Sequence, residues 1–254
     1  MAQLIVAHRG ASHEAPENTV AAFQLAWEQD ADGIEGDYRL TNDGHIVCIH
    51  DETTKRTAGI DLEVAKVSLA ELTLLDVGNW KDEQFVGEKI PTLPEVIATV
   101  PEGKLLVIEL KTGPEIIAPL QRVLDDSLLQ TEQVLVICFN EATVAESKRL
   151  LPDIKTHWLT SYQPKDDIGP WTPTAKRIGE TIRRLKADGL GSQARRSIVN
   201  DQFVQALRAE GVTEFHLWTV DEPANARHYQ ALGAYGITTN RPGFIRRELG
   251  LETR

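Results

Sequence analysis

Three short fragments and one further histidine carry residue types that could act together on an anionic ester. They supply two histidines, three carboxylates and two fixed cations, and they read His8-Arg9-Gly10, Glu35-Gly36-Asp37, Glu109-Leu110-Lys111 and His50. Each lies at or near the end of an apolar run that is typical of a buried strand. Such a set suits a metal ion that holds an anionic ester between an acid and a base, and a phosphodiester is the natural substrate class.

The spacing of the acidic residues predicts a shared metal site. Residues i and i+2 of a strand point to one face, so Glu35 is expected to point the same way as Asp37, and Glu109 the same way as Lys111. Taken singly, each pair could be an ion pair at a sheet rim, but their joint placement at the ends of neighbouring strands favours one site. Three carboxylates suit Mg2+ or Ca2+ better than Zn2+, and the ligand set leaves Mg2+ and Ca2+ as alternatives.

The remaining residues of the set suit proton transfer and phosphate binding. A histidine side chain ordinarily titrates near neutrality, so one of His8 and His50 can remove a proton from the attacking hydroxyl while the other protonates the departing alkoxide. The sequence does not assign which does which. Arg9 offers a planar fork to phosphate and Lys111 a point charge. Trp218 ends an apolar run and is either a wall of the substrate pocket or a packing residue.

Composition excludes several other classes of protein. The net charge is −11, from 38 acidic and 27 basic residues, which argues against a nucleic-acid surface. The two cysteines, Cys48 and Cys138, lie in apolar runs and are expected to be buried free thiols. No secretory signal or membrane-spanning run is recognised, so no stable membrane insertion and a cytoplasmic location are expected. The sequence leaves the oligomeric state open, a homo-oligomer included.

Strand and helix patterns alternate along the chain and favour a closed (β/α)8 TIM barrel over an open doubly wound sheet. Glycine-rich nucleotide-binding turns are absent, which lowers the doubly wound alternative. Strands are predicted at residues 4–8, 33–40, 105–110, 133–139, 154–160, 189–191, 214–219 and 235–238. Helices are predicted at residues 19–30, 93–100, 114–127, 141–150, 175–187, 201–210, 223–232 and 243–249. Asn18 is expected to cap the first helix and Thr92 the second.

One stretch interrupts this alternation. Asn42-Asp43-Gly44 predicts a hairpin turn, after which residues 45–50 form a returning strand. Residues 51–90 are too long for a plain loop and are interpreted as a small excursion over the barrel mouth. The whole chain, residues 1–254, is therefore expected to form a single domain with a small insertion after the second strand.

With these residues and several further fragments, the chain resembles the glycerophosphodiester phosphodiesterase family. The matching fragments follow one another from the first strand to the last, so the resemblance covers nearly the whole chain. They are His8-Arg9-Gly10, Pro16-Glu17-Asn18-Thr19, Glu35-x-Asp37, Thr41-Asn42-Asp43-Gly44, His50-Asp51 with Thr53, Arg56 and Thr57, Ile90-Pro91-Thr92-Leu93, Glu109-x-Lys111, Trp218-Thr219-Val220 and Ile237-Thr238-Thr239-Asn240-Arg241-Pro242.

The resemblance implies hydrolysis of a glycerophosphodiester to glycerol 3-phosphate and an alcohol. It implies metal binding by three acids, acid–base roles for two histidines, phosphate binding by two cations and a pocket aromatic: Glu35, Asp37 and Glu109; His8 and His50; Arg9 and Lys111; and Trp218. Two positions depart from the family's pattern, because Gly36 replaces a bulky apolar residue and Asn240 stands where Asp is common. Gly36 is expected to face away from the site and to loosen the packing there.

Two other functions compete with hydrolysis. On the same fold, the ester's own neighbouring hydroxyl could attack phosphorus in place of water, which would give a cyclic phosphate. A barrel that binds phosphate esters without catalysis is a third alternative, but it predicts the loss of at least one catalytic position, and none is lost here.

Overall fold

The computed structural model describes residues 3–164 and 171–251 of the chain. In these residues eight parallel strands form a closed barrel, since the first strand pairs with both the second and the last. This confirms the (β/α)8 architecture that the sequence predicts. The strands are β1 (Leu4–His8), β2 (Gly33–Leu40), β3 (Ile46–Cys48), β4 (Leu105–Leu110), β5 (Val134–Cys138), β6 (Lys155–Thr160), β7 (Gln163–Pro164), β8 (Trp171–Thr172), β9 (Gly189–Gln193), β10 (Phe215–Trp218) and β11 (Gly236–Thr239).

Three of these strands lie outside the parallel barrel. β3 runs antiparallel to β2 and forms the predicted hairpin, while β7 and β8 form a separate two-stranded ribbon. Helices occupy the connections between the barrel strands. They are α1 (Val20–Glu28), α2 (Lys55–Ala58), α3 (Leu69–Leu72), α4 (Leu93–Ile97), α5 (Ile117–Asp125), α6 (Glu141–Leu150), α7 (Ala175–Leu185), α8 (Asp201–Ala209), α9 (Pro223–Ala231) and α10 (Pro242–Glu248). No helix of the described ranges is long and apolar enough to cross a membrane.

The structure confirms one of the two predicted helix caps and contradicts the other. Thr92 caps α4 as expected, in a capping box in which its hydroxyl accepts from the Glu95 N–H and the Glu95 carboxylate accepts from the Thr92 N–H. The prediction for α1 is wrong, because Thr19 and not Asn18 is its cap residue. Asn18 has a positive φ of 58° and uses its side chain elsewhere: Nδ2 donates to Asp37 (2.9 Å) and Oδ1 accepts from the Asp37 N–H (3.1 Å).

The sixth barrel strand, β9, is rich in glycine because bulky side chains occupy the space beside it. A Cβ on Gly189 would lie 2.6 Å from His157 Nε2, and one on Gly191 would lie 2.6 Å from the His216 ring. Both distances are too short for a real contact, so the two glycines make room for two buried histidines inside the barrel. This close packing explains why the strand lacks the apolar run that the other strands have.

The inserted segment, residues 51–90, packs through an apolar cluster that it shares with residues in and next to β3. That cluster is separate from the main core and consists of Val47, Ile49, Val64, Leu72, Leu75, Val77 and Ile90. The segment also touches the connection between β1 and α1, where Lys81 Nζ donates to the Ser12 carbonyl at 2.8 Å. Since that connection follows the C-terminal end of β1, the segment lies at the end of the barrel that carries functional residues in this fold.

Candidate active site

The three acidic residues that the sequence singles out meet on β2 and β4, level with the C-terminal end of β1 and near that of β4. These strands are neighbours in the register Asp37↔Glu109, and the alternation of side chains puts Glu35, Asp37 and Glu109 on the inner face. One ligand atom from each of the three lies within 4.8 Å of the others, and all three residues are buried. The predicted convergence of these carboxylates is therefore present in the structure.

Gly36 faces outward as expected, but the packing around it is close and not loose. A Cβ there would lie 2.9 Å from Cys48 Sγ and 3.2 Å from Phe23 Cζ. The outer face of β2 is thus filled by Phe23 of α1 and by Cys48 of β3, which leaves no space for a larger side chain at position 36.

Two cations offset part of the negative charge. Arg9 Nε lies 3.1 Å from Asp37 Oδ2, and Lys111 Nζ lies 3.0 Å from Asp37 Oδ1 and also pairs with Glu109. The Arg9 N–H donates to Glu35 Oε2 at 2.9 Å. This contact requires the left-handed backbone at Arg9 (φ 57°) and Gly10 (φ 80°), which turns the chain back over β2 after β1 ends.

The pKa values of the three acids are shifted in opposite directions. Burial raises the pKa of Glu35 and of Glu109, and the charge of Asp37 raises both further. Burial also opposes ionisation of Asp37, but Lys111 and Arg9 outweigh it and hold the pKa of Asp37 below its ordinary value. One oxygen, Glu35 Oε1, is buried without a hydrogen-bond partner. An oxygen-only cluster with an unpaired buried acceptor fits a hard divalent cation, so this group could hold a metal ion.

His50 is the first member of a chain of hydrogen-bonded and ion-paired side chains. Its Nδ1 lies 2.7 Å from Asp51 Oδ1, and Asp51 Oδ2 accepts from Arg56 Nε at 2.6 Å. Arg56 also donates through Nη1 and Nη2 to both oxygens of Glu17, each at 2.8 Å. Glu17 Oε1 in turn accepts from Arg9 Nη1 at 2.8 Å. The chain of contacts thus begins at His50 and reaches the cation that pairs with Asp37.

His8 has a different and uncharged partner. Its Nδ1 lies 2.7 Å from Asn240 Oδ1, which also accepts from the Ser12 hydroxyl at 2.8 Å. Asn240 Nδ2 donates to Asp221 Oδ2 at 2.6 Å. Since a carboxylate accepts hydrogen bonds, Asp221 fixes the Asn240 amide with its oxygen toward His8, and His8 must donate from Nδ1.

Trp218 lies at the end of β10 beside a second aromatic ring. It packs edge-on against Phe139, with ring centroids 5.5 Å apart and an interplanar angle of 82°. Phe139 is 43% exposed, whereas Trp218 Nε1 is buried without a partner. Trp218 also packs against the apolar cluster inside the barrel that contains Val107, Ile137 and Leu159.

Comparison with known proteins agrees with this arrangement. The sequence model of the Glycerophosphoryl diester phosphodiesterase family matches residues 8–244. The chain belongs to this family.

Similar proteins of known name extend over nearly the full chain. A glycerophosphodiester phosphodiesterase from Caldanaerobacter subterraneus subsp. tengcongensis is 35% identical over 246 residues, which are 95% of this chain and 96% of that protein. A glycerophosphodiester phosphodiesterase from Bacillus subtilis is 28% identical and covers 94% of this chain and 84% of its own. The structure of an Oleispira antarctica phosphodiesterase in complex with the product sn-glycerol-3-phosphate superposes with a TM-score of 0.86, at 30% identity, covering 98% of this chain and 97% of that one. The family resemblance and the enzyme class predicted from sequence, glycerophosphodiester phosphodiesterase, are confirmed.

Several polar residues around the site were not assigned roles from the sequence. Among them, Glu17 and Arg56 occur in the fragments that match the family, whereas Asp221 lies outside those fragments. Their partners are distant in sequence: Glu17 and Arg56 are separated by 39 positions, and Asp221 and Asn240 by 19. For Glu17 and Arg56, the signal in the sequence is a charged residue within a fragment that matches the family. The sequence does not indicate the partner of that residue, because the contact depends on the fold.

Proposed function

We propose that the chain hydrolyses glycerophosphodiesters to glycerol 3-phosphate and an alcohol with a divalent cation, Mg2+ or Ca2+, bound by Glu35, Asp37 and Glu109. The clustering of these three carboxylates within 4.8 Å is the observation that carries the proposal. When bound, such an ion polarises the phosphoryl oxygens and offsets the charge that develops at phosphorus. The product in the Oleispira antarctica complex supports glycerol 3-phosphate as the phosphate-containing product.

Two cations and one aromatic residue are proposed to hold the substrate. Arg9 and Lys111 are each partly exposed beside the carboxylate cluster, with side-chain exposures of 19% and 15%, so both can reach a phosphate there. The guanidinium offers a planar fork and the ammonium a point charge. Trp218 is proposed to contact the alcohol or glycerol portion through its ring.

His8 is proposed as the general base. Its Nδ1–H is held by Asn240, so its lone pair is on Nε2 in the neutral ring. Burial and the charge of Arg9 lower the pKa of His8, which keeps the ring neutral and able to take a proton from the attacking hydroxyl. The partner that fixes this ring is a neutral amide, which favours the imidazolium form less than a carboxylate does.

His50 is proposed as the general acid. Its Nδ1 contacts the carboxylate of Asp51, which favours the protonated ring and orients Nε2–H away from that contact. Burial lowers the pKa of His50 below its ordinary value, although the carboxylates of Asp37 and Asp51 oppose that effect. In the reaction, a hydroxyl oxygen bonds to phosphorus as His8 accepts its proton. The bond from phosphorus to the alcohol oxygen breaks, and His50 gives that oxygen a proton.

Water is the proposed nucleophile, and the neighbouring hydroxyl of the glycerol portion is the alternative. Incubation in 18O-labelled water with time-resolved 31P NMR separates them. We expect labelled glycerol 3-phosphate to form directly, without an intermediate cyclic phosphate. A cyclic product that accumulates before any labelled monoester would favour the alternative.

An activity screen tests the proposal as a whole. Glycerophosphocholine, glycerophosphoethanolamine and glycerophosphoglycerol are incubated with and without chelator, and release of glycerol 3-phosphate is measured. We expect turnover that chelator abolishes and that added Mg2+ or Ca2+ restores.

His50→Ala should lower kcat by at least about 100-fold, because it removes a proton donor. The matched control is His45→Ala, since His45 is exposed and lies outside the network. Undiminished turnover in chelator would refute the requirement for a divalent cation. Undiminished turnover in His50→Ala would refute the role of His50 as general acid.

Two further expectations stay predictions: the single domain over residues 1–254 and the cytoplasmic location. A catalytically inactive phosphate-ester barrel is disfavoured by membership of an enzyme family at 35% identity to a named phosphodiesterase.

A further inference from the structure

The inserted segment reaches the site through one guanidinium group. Arg56 lies in α2, a short helix preceded by Thr54 and ended by Gly59 in the left-handed conformation. The Thr54 hydroxyl also donates to the Ile60 carbonyl, which closes this turn on itself. From there the Arg56 side chain leaves the inserted segment and contacts Glu17, in the connection between β1 and α1.

All three nitrogens of this guanidinium have carboxylate partners. Nη1 and Nη2 donate to the two oxygens of Glu17, in the parallel geometry that a planar fork allows, while Nε donates to Asp51 Oδ2. An ammonium group carries the same charge but cannot make both the parallel pair and the third bond. The arrangement therefore depends on the shape of the arginine as well as on its charge.

Each of the two carboxylates also holds a group of the proposed mechanism. Asp51 uses its other oxygen, Oδ1, for His50 Nδ1, and Glu17 Oε1 also accepts from Arg9 Nη1. Neither Asp51 nor Glu17 belongs to the acidic cluster proposed for the metal. A single side chain of the inserted segment thus fixes the partners of both the proposed general acid and a proposed phosphate-binding cation.

We propose that Arg56 is a positioning residue for the reaction, acting on His50 through Asp51 and on Arg9 through Glu17. The inference rests on the proposed roles of His50 and Arg9. It gives the inserted segment a catalytic purpose, because docking of α2 against the β1–α1 connection completes the orientation of both groups. Without the guanidinium, Asp51 and Glu17 lose the cation between them and repel each other, so both partners lose their fixed geometry.

Kinetics of Arg56→Ala and Arg56→Lys test this role. We expect both variants to lower kcat by roughly 10- to 100-fold, because small misplacements of an acid are costly. The KM is expected to rise less, since Lys111 still contacts phosphate. The matched control is Lys55→Ala: Lys55 is the neighbouring cation of the same helix, and its partner is Asp61, 3.5 Å away and outside the network. It should retain wild-type kcat and KM.

Chemical rescue separates positioning from a purely structural role. Arg56 is 43% exposed, so a small cation can enter the space that Arg56→Ala leaves. Guanidinium or methylguanidinium ion, at concentrations that leave the melting temperature unchanged, should restore kcat in part. Methylammonium, a point charge without a fork, should not. Wild-type kcat in Arg56→Ala, or a loss that only follows melting temperature and that no guanidinium restores, would overturn the proposal.

The same experiment distinguishes failure of this inference from failure of the proposed function. If His50→Ala abolishes turnover while Arg56→Ala behaves like Lys55→Ala, the proposed function stands and the positioning role is wrong. If the wild-type protein releases no glycerol 3-phosphate, or His50→Ala retains full turnover, the proposed function itself fails, and the positioning role falls with it.

Discussion

The two histidines of the site differ most in what holds their Nδ1 atoms. His50 contacts a carboxylate that is itself paired with Arg56, whereas His8 contacts the amide of Asn240. The amide is fixed by Asp221, so the negative charge lies one residue further from the ring. Similar residue types are thus placed in unlike electrostatic surroundings. This difference suits an acid and a base that must hold opposite protonation states at one pH.

A carboxylate at position 240 should move the pH dependence of the reaction. In Asn240→Asp, the new charge beside His8 favours its imidazolium form and raises its pKa, by roughly one unit or more. Because the base must be neutral, the acidic limb of the profile of kcat/KM is expected to shift to higher pH. The variant also places two carboxylates together, so Asn240→Asp with Asp221→Asn is the matched form, and Asp221→Asn alone is the control. A limb that stays in place, or that shifts to lower pH, would contradict the assignment of His8 as base.

Individual elements differ in how far the sequence predicts them. Strands buried on both faces appear as apolar runs, and β1, β4 and β5 lie where those runs were predicted. The sixth strand, β9, extends to Gln193, beyond the predicted residues 189–191, because its inner positions are determined by neighbours and not by its own hydrophobicity. Asn18 does not cap α1 for a related reason: it is a good cap residue, but Asp37 is its partner, and that contact exists only once β2 is in place.

Substitution of a glycine in β9 tests whether the space beside this strand is limiting. Gly191→Ala should destabilise the fold by about 1–3 kcal/mol, because its Cβ would overlap His216 and Leu159 inside the barrel. Gly236→Ala is the matched control on another barrel strand, where the nearest atoms, from Leu4, are 3.3 Å away, and it should cost clearly less. Urea unfolding of both variants and the wild type measures this difference. Equal stabilities for the two variants would mean that the space beside β9 is not limiting.

In the molecule as a whole, the sequence predicts well which site residues come together. It predicts less well the side-chain contacts that orient each of them. Barrel closure brings the ends of β1, β2 and β4 together, so three acids, Arg9 and Lys111 could be placed in one site from strand order alone. The contacts that orient them are side-chain pairs from separate connections, such as Glu17 with Arg56. Such pairs depend on how the inserted segment packs, and no local pattern encodes that.

The opposite, N-terminal part of the barrel contains a polar pair that neither the fold class nor the family fragments predict. His157 and His216 lie inside the barrel with their Nδ1 atoms 3.0 Å apart. His157 Nε2 contacts Glu214, which accepts, so a neutral His157 ring accepts at Nδ1 and His216 donates to it. His216 Nε2 is buried without a partner. A second proton on His216 would therefore be buried without an acceptor and beside another imidazole.

This pair should make the fold less stable in acid. Burial, reinforced by His157, lowers the pKa of His216 well below its ordinary value of 6.5. Below that pH the unfolded chain takes up a proton that the folded protein excludes, so the free energy of unfolding falls by up to about 1.4 kcal/mol per pH unit. In His216→Asn, the amide N–H can still donate to His157 but does not titrate. Urea unfolding in chelator, from neutral pH downward, should show wild-type stability falling relative to the variant once the pH passes 6.5. Parallel pH curves for the two proteins would mean that His216 carries no such proton linkage.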